Sequence, residues 1–91
     1  MIRKDTKVQN RAGLHARPAA LIVQAAGQYE SSIFIEKDSE KINAKSIMGL
    51  LTMGAAYGSE LVITADGPDE EDAVNALIEL FENRFSILKG R

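Results

Sequence analysis

A chain of 91 residues has material for one domain, expected to bury roughly 60–65% of its unfolded surface. Its composition, 45% hydrophobic and 26% charged, is ordinary for a globular protein, and a formal net charge of −2 argues against general nucleic-acid binding. The absence of cysteine excludes disulfides and thiol chemistry. With no signal-peptide pattern and no apolar run of bilayer-crossing length, a cytoplasmic protein is the expectation.

Ile2 to Val8 alternates in polarity and predicts a half-buried strand, with Lys4 out of place on its inner face. A loop, residues 9–14, leads to a helix over about residues 16–27, with Pro18 in its first turn and Gly27 as its stop. Ser32 to Glu36 is rich in β-branched and aromatic residues and predicts a second strand. The polar turn Lys37-Asp38-Ser39-Glu40 and a short strand, Lys41 to Asn43, complete a hairpin. Ser46 has the character of a helix N-cap and Gly54 of a C-cap, bracketing a short helix. Leu61 to Asp66 is apolar enough for a central strand. Asp69 is positioned to cap a last helix, with Asp72 three places on as in a capping box. That helix has Val74, Leu77, Phe81 and Phe85 as its core stripe, and residues 86–91 are expected to fray. Strand, helix, strand, strand, helix, strand, helix argues for an α+β sandwich, one sheet covered on one face by helices.

Chemistry concentrates in Gly13-Leu14-His15-Ala16-Arg17-Pro18-Ala19-Ala20, which contains the only histidine. Gly13 is read as a flexible entrance to the helix. His15 and Arg17 lie where unpaired backbone N–H groups and the helix dipole favour negative charge. A neutral imidazole is a nucleophile, and a neighbouring guanidinium can neutralise phosphate oxygens. Arg3, Lys4, Lys7, Arg11 and Arg17 face only Asp5 in the first seventeen residues, adding positive potential there. The bland alternative makes His15 a polar cap.

Two further features invite a functional reading. Ser46 is either a cap alone or a phosphorylation site, since a phosphoserine is electrostatically favoured at a helix N-terminus. In the same short helix Ile47, Leu50 and Met53 share one stripe, and Met48 and Leu51 another; these apolar residues are either all core or leave one stripe exposed as a contact surface. No zinc constellation, nucleotide-binding glycine loop, calcium loop or nucleophile elbow occurs, so no metal site and no cofactor are expected.

Gly13 to Ala19, with Lys45-Ser46-Ile47-Met48-Gly49 downstream, resembles the HPr family, the histidine-containing phosphocarriers of the bacterial phosphotransferase system. The likeness runs from about residue 2 to residue 85. It implies an open-faced β-sandwich, a four-stranded antiparallel sheet with three helices on one side (βαββαβα), in a single domain over 1–91. It implies that His15 takes a phosphoryl group at Nδ1 from phosphorylated enzyme I, ultimately from phosphoenolpyruvate, and passes it to an enzyme IIA domain, with Arg17 stabilising the phosphate. The chain is then a carrier and not an autonomous enzyme. Ala20, Met48 and Leu51 match the family's docking surface, and Ile47, apolar and next to Met48 in the same short helix, is counted with them. Ser46 matches the site of the ATP-dependent HPr kinase/phosphorylase, whose phosphoserine impairs transfer at His15 and in some relatives promotes binding to a catabolite-control transcription factor. Ala12 departs from the small polar residue often present before the glycine, which leaves backbone N–H groups to serve. Ala55-Ala56-Tyr57-Gly58 and the acidic last helix resemble the nitrogen-branch paralogue, so the alternatives are a nitrogen-branch carrier or a mainly regulatory protein controlled through Ser46. A monomer is the simplest form for a shuttle that docks several partners through one face.

Overall fold

The computed structural model describes residues 1–85. Its elements are β1 (Ile2–Lys7), α1 (Ala16–Ala26), β2 (Ser32–Lys37), β3 (Glu40–Asn43), α2 (Ile47–Met53), β4 (Glu60–Asp66) and α3 (Glu70–Glu82). The expected order is therefore present, with strand and helix ends displaced by about a residue, except at α3. The reading of residues 86–91 as a frayed tail lies outside the described residues.

The four strands form one antiparallel sheet in the order β1-β4-β2-β3. β4 is central, as its apolar composition predicts. Register puts Ile33 opposite Ala65 and Ile35 opposite both Ile63 and Ile42, so these side chains share the face covered by helices. Ile22 of α1, Leu50 of α2, and Val74, Leu77 and Phe81 of α3 close over them, all fully buried. Each such side chain contributes about 1.5–3 kcal/mol by leaving water. The opposite face of the sheet is open and carries Arg3, Phe34, Glu36 and Lys41, with Arg3 3.6 Å from Glu36 and the Lys41 ammonium 4.7 Å from the Phe34 ring centre. Lys4 is on the helix side, as expected, and its Nζ donates to Asn75 Oδ1 of α3 at 2.8 Å. An edge strand lets that ammonium stay solvated while its stem covers apolar surface.

Two local expectations need correction. Asp69 occupies the backbone position before α3, but its carboxylate caps nothing in that helix. It accepts instead from the Ser31 hydroxyl at 2.6 Å, the Ser31 N–H at 3.0 Å and the Glu30 N–H at 3.0 Å. Glu70 Oε1 satisfies the turn by accepting from the Gly67 N–H at 3.0 Å. Second, Phe85 is in the core yet outside the helix. The Phe85 N–H donates to Leu80 O and the Arg84 N–H to Phe81 O, a Schellman ending with Arg84 in the left-handed region. Phe85 then packs edge-on against Phe81 at 4.9 Å. Gly27 ends α1 as expected, with right-handed backbone at φ −66°, so the stop there owes nothing to a positive φ.

Candidate functional site

His15 is the N-cap residue of α1, with extended backbone and no side-chain hydrogen bond to the helix. The bland reading of His15 as a side-chain cap therefore fails; its imidazole is exposed. The first intrahelical bond runs from the Ala19 N–H to His15 O at 2.9 Å, and Pro18, buried in the first turn, has no N–H to satisfy. The N–H groups of Ala16 and Arg17 have no acceptor among the described residues. These are the open donors of a helix start, directed outward beside an exposed imidazole. Arg17 is exposed and makes no ion pair among the described residues, which leaves its guanidinium free for an anion.

What holds this corner is a pair of loops laced by backbone bonds. Leu14 N–H donates to Ala55 O at 2.8 Å, Gly58 N–H to Val8 O at 2.8 Å and Val8 N–H to Ser59 O at 2.9 Å. Gly13 has φ +76°, and a Cβ on it would lie 2.7 Å from Ala55 O. The glycine thus serves close approach and left-handed backbone rather than the flexibility expected of it. Asn10 completes the loop: its Nδ2 donates to Gly13 O at 2.7 Å, and its own carbonyl accepts from the Gly13 N–H at 3.1 Å. Sequence reasoning missed Asn10, for which the three-residue spacing to Gly13 was the available signal.

Ser46 caps α2 as expected, its Oγ accepting from the Gly49 N–H at 3.1 Å, and Gly54 ends the helix in the left-handed region. Lys45 beside it is tied down through Nζ to Tyr29 O at 2.8 Å. Leu50 and Met53 are buried, whereas Met48 is 68%, Ile47 40% and Leu51 39% exposed. Ile47 thereby leaves the stripe assigned to it with Leu50 and Met53. At about 100° per residue, Ile47 lies about 40° from Leu51 and about 60° from Leu50, so an exposed Leu51 carries Ile47 outward. α1 and α2 pack side by side, and Ala20 is half-buried on α1. No group of three or more metal-ligating side chains occurs among the described residues, and no described helix is long and apolar enough to cross a membrane.

Residues 2–83 match the family described as PTS HPr component phosphorylation site. The chain belongs to the HPr family. Over 85 residues it is 53% identical to the phosphocarrier protein HPr of Treponema pallidum (strain Nichols), covering 93% of this chain and 97% of that relative. It is 49% identical over 82 residues to the HPr-like protein Crh of Halalkalibacterium halodurans, covering 90% and 98% of the two chains. The solved structure of HPr-C-His from Thermoanaerobacter tengcongensis superposes with a TM-score of 0.90 at 47% identity, covering 93% and 96%; another HPr structure from that organism is described as a dimer. The HPr fold, four antiparallel strands and three helices in the order βαββαβα, is the one described above. HPr is a phosphocarrier of the phosphotransferase system.

Proposed function

We propose that His15 carries the phosphoryl group, taking it from phosphorylated enzyme I and delivering it to an enzyme IIA domain. The observation behind this reading is an exposed imidazole at the open start of α1, beside an unpaired Arg17, in an HPr-family chain. The imidazole lone pair attacks phosphorus in line; the donor's bond to phosphorus breaks as the bond to His15, at Nδ1 as in the family, forms. The Ala16 and Arg17 N–H groups and the Arg17 guanidinium take the charge of the phosphate oxygens. Because the site is a surface corner and not a cleft, the phosphoimidazole stays reachable for the next acceptor. The exposed apolar residues Ile47, Met48 and Leu51, with Ala20 opposite, form the surface on which both enzymes dock, one partner at a time. A monomeric shuttle satisfies that requirement most simply.

Similarity to the HPr-like protein Crh favours a second role, regulation through Ser46. Phosphorylation of Ser46 by HPr kinase/phosphorylase would set a dianion beside that apolar surface, lowering affinity for enzyme I and creating a recognition mark for a catabolite-control transcription factor. The same surface would suit a regulatory, nitrogen-branch carrier. One labelling experiment separates the roles. Enzyme I with phosphoenolpyruvate should give an acid-labile, base-stable phosphoprotein that His15→Ala abolishes, while the kinase with ATP should give an acid-stable one that Ser46→Ala abolishes. Label from enzyme I that survives His15→Ala would overturn the first assignment; kinase label that survives Ser46→Ala would overturn the second.

A further inference from the structure

A surface recess of about 330 Å³ is lined by Gln9 and Arg11 from the loop before α1, by Tyr57, and by Arg84 just past the end of α3. A neighbouring cavity of about 520 Å³ shares Gln9, Tyr57 and Arg84 and adds Lys7 among its walls. No carboxylate lines either one. Glu60 and Glu82 border a separate, larger cavity that shares Lys7 and Gln9. Neither Arg11, Arg84 nor Lys7 has an ion pair or a side-chain hydrogen bond among the described residues. Two guanidinium groups on one small cavity repel each other, and a dianion between them reverses the sign of that interaction.

The backbone adds a second observation. Arg84 occupies the left-handed position of the Schellman ending, φ +56°, where glycine is the common residue and a side chain is strained. Phe85 is buried against Phe81, and Arg84 before it lines the recess. We propose that Arg11 and Arg84, with the Tyr57 phenol, form a binding site for the phosphate of a small phosphorylated metabolite. A tetrahedral dianion suits two forked guanidinium groups, each donating a pair of N–H bonds. The volume admits a compact phosphomonoester, and the three cations are too few and too local for a nucleic-acid backbone. The site is distinct from His15 and would exist whether or not His15 carries phosphate.

The test is a backbone and arginine-side-chain NMR titration with glucose 6-phosphate and, separately, inorganic phosphate, with sodium chloride at matched ionic strength as control. Saturable shifts at Arg11, Tyr57, Gly58 and Arg84 are expected with both probes and not with chloride, and they should persist in Arg17→Ala. Shifts with glucose 6-phosphate alone would also support the site and define an ester; inorganic phosphate binding at least as tightly would define the free ion and overturn the metabolite. Arg11→Gln should weaken binding at least tenfold. Arg84→Gly should do the same while melting no lower than the parent, since it removes the side chain and relieves the left-handed strain together. Shifts confined to residues 15–18, or unchanged binding in a folded Arg84→Gly, would overturn the proposal.

Discussion

A methyl group on Gly13 would press 2.7 Å from the Ala55 carbonyl oxygen and hold φ near +76°, and no neighbouring side chain can swing aside because the obstacle is backbone. Gly13→Ala should therefore cost about 1–3 kcal/mol of stability, read from denaturant unfolding. Phosphoryl acceptance should fall as well, because Leu14 loses its bond to Ala55 and His15 its fixed place. Asn10→Ala should cost about 1 kcal/mol by freeing the Gly13 carbonyl. A Gly13→Ala protein as stable as its parent would show that the loop tolerates separation from Ala55. At this scale the sequence was informative where one residue type has one geometric use. Pro18 in a first turn, Ser46 before an apolar helix and Gly54 after it each have such a use. Asp69 was misread because its partners, Glu30 and Ser31, lie 39 and 38 residues away, whereas the cap reading looked three residues ahead.

Adjacent leucines in α2 show how an element divides its work. Leu50 is fully buried beneath the helix and Leu51 is 39% exposed on the side proposed for docking. Leu50→Ala should destabilise by about 2–5 kcal/mol, whereas Leu51→Ala should change stability by about 0.5 kcal/mol or less. The effects on partner docking should run the other way, with Leu51→Ala raising the half-saturating concentration in enzyme I phosphorylation and Leu50→Ala acting only through unfolding. Parallel melts and phosphorylation kinetics check both; equal stability losses would mean that α2 has no free face. Apolar spacing announced that α2 had two faces but not which faced out, because seven residues give the stripe too little length to choose a side. Sheet registry and the positions of α1 and α3 make that choice. α3 tells a related story: Phe85 keeps helical spacing in the sequence, yet reaches the core through a left-handed turn that periodicity alone does not register.

Across the whole molecule, two carboxylates join pieces of chain that the hydrophobic core leaves adjacent but untied. Asp69 binds the α1–β2 connection to the start of α3, and its carboxyl is held below its usual range, chiefly by the Ser31 hydroxyl and then by the Glu30 N–H. Glu70 binds the β4–α3 turn; the Gly67 N–H and then the Met1 ammonium, 3.2 Å from Oε2, hold its carboxyl low as well. A carboxyl with a lower pKa when folded than when unfolded stabilises the fold above the unfolded value, near 4, and loses that stabilisation as pH falls through the folded value. Stability should consequently decline as the solution is acidified from about pH 5 downward, while staying flat above it on account of these two groups. Asp69→Asn isolates the larger tie. An amide accepts fewer hydrogen bonds and carries no charge, so the variant should be less stable than the parent at about pH 7. The difference should shrink in acid, where the parent's carboxyl is protonated too. Urea unfolding of both proteins at a series of pH values reads this directly. A gap that stays constant down to about pH 2.5 would assign the loss to shape rather than charge. The residues proposed for docking, on α1 and α2, make no hydrogen bond to either carboxylate, so acid sensitivity and partner affinity should be separable by mutation.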